Sequence, residues 1–331
     1  AQVVSSLNEG DTDKGANVYI GSAINKAKSA VDGLSLSIYS GGVNTATATF
    51  NATNTASIAN AAIGSPSARA ASVKVLAQGT AIALADVAQG SSIGLVGFGA
   101  NALYAYAKGT HAASIRESVI YAKSVGVESI FFAKASADTT QGVFGLKGAS
   151  VETNVAWAQT TTSGSAYIAN SSVDVDASGK LTVKSAGKAH AVSNFESPAV
   201  SLSLIYLSFN VLTAALNGKA EAYISSSGIR AAGGADVLVE YNKDAADPGA
   251  AAYMNSYAGL ADCSLVSGSG HALAARDTSS ACAYTSGTSF LAGTGDIRID
   301  AAGESRAVAD KGGSYVDFSL LALGVLIASA T

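Results

Sequence analysis

Few residues in this chain have the type and spacing that chemistry needs. The three histidines, His111, His190 and His271, lie far apart, and none belongs to a cluster with metal-ligand spacing. His111 and His190 replace small residues at expected outward or turn positions, so both read as solvated surface side chains. The close carboxylate pairs are Asp11/Asp13, Asp174/Asp176 and Asp296/Asp300. In "VDVDASG" a strand would aim Asp174 and Asp176 the same way, near enough for calcium or for acid–base work on a glycan. The plainer reading is a solvated strand-to-turn region. "GGAD" at 233–236 touches the glycine-rich calcium nonapeptide, but the following "VLVEY" does not repeat it. There is no G-x-S-x-G elbow, H-E-x-x-H pair or Walker-type loop, and no cofactor is expected. Asn51-Ala-Thr and Asn170-Ser-Ser fit the glycosylation sequon.

Two cysteines, Cys263 and Cys282, allow one intramolecular pairing. A disulfide between them is expected in an oxidising compartment; two unpaired small hydrophobes are the alternative. Net charge is −4, from 24 acidic and 20 basic residues, with no basic cluster, which leaves nucleic acid no electrostatic footprint. Charged residues are 13% of the chain, about half the ordinary share. Hydrophobic content is 48%, much of it alanine, and no window reaches the ~18–20 apolar residues of a spanning helix. The start, "AQVVSSLNEG", has neither the basic nor the apolar stretch of a signal peptide.

The elements that would hold these residues are repeats. Residues 179–215 align without a gap to residues 295–331 at an offset of 116, with ten of 37 pairs identical. The apolar run from Phe318 to Ala330 is therefore one element of a repeat, which argues against membrane insertion. Segments such as "THAASI", "SGSAYI" and "GKAEAYI" close each unit. Their last residues, Ile58, Ile115, Ile168, Ile224 and Thr285, recur at steps of 57, 53, 56 and 61. An asparagine stands 14 residues before four of them, at Asn44, Asn101, Asn154 and Asn210, with His271 and Leu326 in the fifth and sixth places. His271 thus reads as a hydrogen-bonding substitute. The spacing predicts about six repeats of ~56 residues, at approximately 15–58, 64–115, 117–168, 172–224, 228–285 and 295–331. The last lacks its closing element, so a slice of a longer array is expected.

Within a unit the pattern alternates, as in "LTVKS", "SLSLIYLS" and "IRIDA", which places every second side chain on one face of a strand. Alanine-rich "AINKAKSAV" and "SIRESVIYAKSV" admit a helix, but their counterparts in other units are glycine-punctuated and alternate. The expected fold is all-β: a parallel β-helix, or β-solenoid, running through 1–331 as one continuous segment. A coil of ~20–30 residues would make each unit two coils, with alanine and valine lining a thin, flattened core. The repeated asparagines then either form ladders or shape turns. Turns are favoured, because two coils per unit would put the asparagines on every second coil. The fifth unit departs most from the pattern: 240–263 is expected to protrude as a loop, with Tyr241, Tyr253 and Tyr257 available to a ligand and Cys263 at its end.

Units of the type "G-x-L-x-V-x-A-x-G-x-A-x-A" followed by "SLSLIYLSFNVLTAAL" and "GKAEAYI" resemble the arrays of large bacterial secreted exoproteins, the filamentous-haemagglutinin-like and leukotoxin-type filamentous adhesins. The resemblance covers the chain from about residue 15 to its end and rests on texture and repeat layout. It implies a right-handed parallel β-helix forming a long, disulfide-tolerant rod at the bacterial cell surface, and it carries no catalytic residues. The expected partners are neighbouring repeats or end-to-end copies, and a host-cell, matrix or glycan ligand. A self-assembling fibre subunit and a polysaccharide-active enzyme are the rival readings.

Overall fold

The computed structural model describes residues 3–4, 16–20, 24–36, 39–141, 144–177, 179–197, 200–243, 248–256, 260–292, 295–312 and 315–331. Side chains are described for 43, 45–87, 95–139, 148–177, 179–196, 202–243, 248–253, 264–291, 295–311 and 321–331. Every regular element among these residues is a strand. The alanine-rich segments that admitted a helix fall in the strand Ile24–Leu36 and in strands ending at Arg116 and Ala122.

Each repeat closes one coil. An outgoing strand such as Leu181–Ser197 is followed by a returning strand, Val200–Ser225, and by a short third strand, Gly228–Ala231. The outgoing strand lies parallel between its equivalents one repeat away, Leu181 pairing with Val125 on one side and Ala235 on the other. The returning strand does the same, with Asn210 between Asn154 and His271. The short strands Ala62–Ile63, Val119–Ala122, Ser172–Val175, Gly228–Ala231 and Ser289–Ala292 stack as a separate parallel sheet. The expectation of two coils per unit is thereby corrected: the 53- to 61-residue steps are the coil itself. Near the start, Val3–Val4 lies antiparallel to Tyr19–Ile20.

Alternation sends every second side chain inward, so like residues stack from coil to coil. One column runs Ala83, Ala135, Ala191, Ala250, and another Ile58, Ile115, Ile168, Ile224. The alanine column is fully excluded from water, and the isoleucines nearly so. Because the columns are so often alanine, the outgoing and returning walls approach closely. Single serine hydroxyls cross between them: Ser193 Oγ donates to the Ala156 carbonyl at 2.9 Å and Ser185 Oγ to that of Gly164 at 3.1 Å. The core is thin and flattened. Where it holds a ring, glycine makes the room: a Cβ on Gly164 or Gly187 would collide with Phe131, and one on Gly218 with Tyr241.

Five of the returning strands end at a corner with one residue in the left-handed region. Asn60, Glu117, Asn170, Ser226 and Gly287 have φ of 52°, 48°, 50°, 46° and 57°. Asparagine and glycine suit this conformation; glutamate and serine adopt it because the whole column is held by its neighbours. The next residue in three coils is a serine that does two things. Ser171 Oγ donates to the Ala169 carbonyl at 2.8 Å and accepts from the Ser118 backbone amide at 3.2 Å. Ser118 and Ser227 repeat both contacts one coil away, the former accepting from the Ala61 amide and the latter from that of Ser171.

Candidate functional site

The repeated asparagines lie in mid-strand and point into the molecule, which corrects the turn placement. Asn101 Nδ2 donates to Asn154 Oδ1 at 2.7 Å, and Asn154 Nδ2 donates to Asn210 Oδ1 at 2.8 Å. Asn210 Nδ2 then reaches His271 Nδ1 at 3.1 Å. The three asparagines are at most 3% exposed, so these amides are spent on one another. Asn44 pairs with Asn101 in backbone register; its side chain lies outside the described residues. The ladder is possible because one repeat is one coil, which puts equivalent amides one strand spacing apart, about 4.8 Å. His271 accepts at Nδ1, so its proton sits on Nε2 and the ring is neutral. Burial, with Lys311 nearby, lowers its pKa to about 4.

His111 is not a surface residue. It is wholly buried, stacks on Phe131 with ring centres 5.6 Å apart, and faces the Asn54 amide through Nδ1 at 3.2 Å. Its Nε2 has no partner among the described residues, and burial lowers its pKa to about 4. An outward reading failed because His111 stands in the inward register of the closing segment, opposite Asn54 and Gly164. His190 is half-buried, with Nδ1 3.3 Å from the Pro248 carbonyl.

The acidic pair is also engaged. Asp174 meets Arg69 at 3.0 Å and Arg230 at 3.9 Å, and the same Arg69 donates to the Asp174 carbonyl at 2.8 Å. Asp174 therefore ties its coil to Arg230 of the next and, across Tyr121 of the intervening coil, to Arg69 two coils away. Asp236 of "GGAD" pairs with Lys180 at 2.6 Å, and Lys184 with Glu240 at 2.6 Å, again between adjacent coils.

The expected protruding loop is smaller than 240–263. Tyr241 pairs with Gly187 and Ala250 with Ala191, so five extra residues lie in 242–249, and two more fall between Ser256 and Ala261, opposite Ser197 and Val200; the five vanish in the next coil, where Gly303 and Ala307 take those places. Tyr241 is not offered to a ligand: it is 1% exposed, and its hydroxyl accepts from Ser279 Oγ at 3.3 Å. Asn242, left-handed at φ 48°, takes up both backbone groups of Ala189 through its side-chain amide. Tyr253 is half-buried in the strand Ala250–Ser256, and Tyr257 lies outside the described residues. Cys282 is an exposed free thiol, so the expected disulfide is not formed. The two cysteines share one coil, in register with Leu202 and Glu221; the Cys263 side chain lies outside the described residues.

One surface feature had no sequence-level forecast. Tyr167, Tyr223 and Tyr284 stack on the outer face with ring centres 4.9 and 5.0 Å apart and planes within 7° of parallel. The signal was present: each stands one residue before the closing position of its unit. The corner serines were legible in the same way, three residues after it. No family model, curated protein or solved structure matches this chain.

Proposed function

We propose that this chain is a segment of a non-enzymatic extracellular rod, the stalk of a bacterial adhesin or filament, whose work is reach, stiffness and display. The observation that carries this reading is where the polar residues are used. Asn101, Asn154, Asn210 and His271 join coil to coil in the interior, and Arg69, Asp174 and Arg230 do so at the surface. A ladder of side-chain amides along the strand-stacking axis resists shear and bending of one coil against the next. The placement at a bacterial surface rests on the resemblance of the repeats to filamentous exoproteins.

Electron microscopy of the purified chain, with circular dichroism on the same sample, tests the proposal. Particles of constant width with high strand content are expected, lengthening in proportion when repeats are added in tandem. Compact globules, or width growing with repeat number, would refute the rod. Turnover of any polysaccharide that is lost in an Asp174→Ala variant would replace it with the enzymatic reading.

A further inference from the structure

The returning strands reverse their polarity part-way along. In their second half they are ordinary, with Ala214, Leu216, Ala220 and Ala222 buried and Asn217 and Lys219 exposed. In their first half the interior is polar: Ser150, Glu152, Asn154, Ser208 and Asn210 are all at most 8% exposed. The solvent side there is apolar, with Val43 at 78%, Phe98 at 60%, Ile205 at 44%, Phe209 at 47% and Val211 at 41% exposure. Register aligns these positions from coil to coil. Phe98 continues into Val151 and Leu207, and Ile205 into Val266 and Leu321. The result is an apolar stripe running along the axis, and contiguous apolar patches on soluble proteins mark contact sites.

We infer that this stripe is the interface of a lateral dimer, in which the rods of two copies pack face to face through Ile205, Phe209, Val211 and their equivalents. Area and spacing favour a second copy. Six coils at ~4.8 Å by six residues at ~3.3 Å give about 570 Å² of flat sheet per copy, roughly 1,100 Å² for a pair, which clears the ~1,000 Å² expected of a specific interface. A matching surface must carry apolar ridges at the coil spacing, and the same stripe on another copy does. The relief is shallow: Phe98 and Phe209 stand up, while Leu207 and Phe209 lean over Gly268 and Gly270 of the next coil. A two-fold contact sets the stripe of each copy against that of the other.

Sedimentation equilibrium of the full chain tests this at tens of micromolar, against two variants. Ile205→Lys/Phe209→Glu places charge in the stripe. Ile205→Thr/Phe209→Thr/Val211→Thr removes its apolar bulk while keeping strand-forming side chains, and so guards against misfolding of the first. The parent chain is expected to dimerise. Both variants are expected to be weakened by tenfold or more, with unchanged dichroism. A monomeric parent overturns the inference, as does a dimer that persists in the threonine variant. A monomer that binds neutral phosphatidylcholine vesicles would assign the stripe to a lipid surface instead.

Discussion

Two buried histidines make this fold sensitive to acid. His111 and His271 are both held neutral, with pKa lowered from 6.5 to about 4 by loss of water. The unfolded chain binds protons at these rings below about pH 6.5, and the folded chain does so only near 4. Stability contributed by the neutral rings is thus complete above 6.5 and falls as pH drops through that window. At about 1.4 kcal/mol per pKa unit each ring accounts for roughly 3 kcal/mol of acid destabilisation. Asp138, whose pKa burial raises, works in the opposite direction, since folding makes it easier to protonate. Glu240, held low by its hydrogen bond from Lys184, adds to the loss in acid. Replacing His271 with asparagine extends the amide ladder by one member and deletes one titrating ring. His271→Asn is expected to match the parent at pH 7.5 and to lose about half as much stability between pH 6.5 and 4.5. Urea midpoints across that range measure it, and parallel curves for the two proteins would contradict the assignment of His271 as a neutral ladder member.

At the corners, stability depends on a hydroxyl and one left-handed residue per coil. Ser171→Ala leaves the buried Ser118 amide without its acceptor, at a cost of about 1–2 kcal/mol. Amide exchange at Ser118 is expected to accelerate correspondingly, while amides in the outgoing strands keep their protection. Exchange unchanged at Ser118 would mean that water replaces the hydroxyl there. These corners also show how far a sequence can be read. Alternation in "LTVKS" fixed which residues form strands, and the alanine columns announced a thin core. The number of residues per coil was not legible, because period-two patterning is local and says nothing of how far the chain runs before it meets itself. That one unknown misplaced the asparagines: the turn reading followed from two coils per repeat, and the ladder follows from one. Tyr241 was misread for a related reason. Five extra residues in 242–249 look like a disruption of the whole segment in sequence, yet the backbone returns to register at Ala250 and keeps Tyr241 in the core.

Among the described residues the strands of each coil pair with those of its neighbours, Arg69 reaching two coils to Asp174 as an exception, so stability is close to a sum of coil terms and interface terms with little long-range cooperation. A compact globular domain of this length would instead lose its core when a ninth of it was removed. Deleting residues 295–331 takes away the strands Ile297–Gly303, Ala307–Gly312 and Tyr315–Ala330, which pair only with the coil before them. The inner coils keep their ladders: Asn154 still bonds to Asn101 and Asn210, and Tyr223 still stacks on Tyr167. The new last coil loses partners on one side alone, and His271 keeps its contact with Asn210. The shortened chain is therefore expected to fold with the same strand signal per residue. Its urea midpoint should fall modestly, and amide protection should decline toward the new end and stay at parent values around Val127 and Val183. Global loss of protection on this deletion would show that the stack folds as one unit, and the additive rod would have to be abandoned.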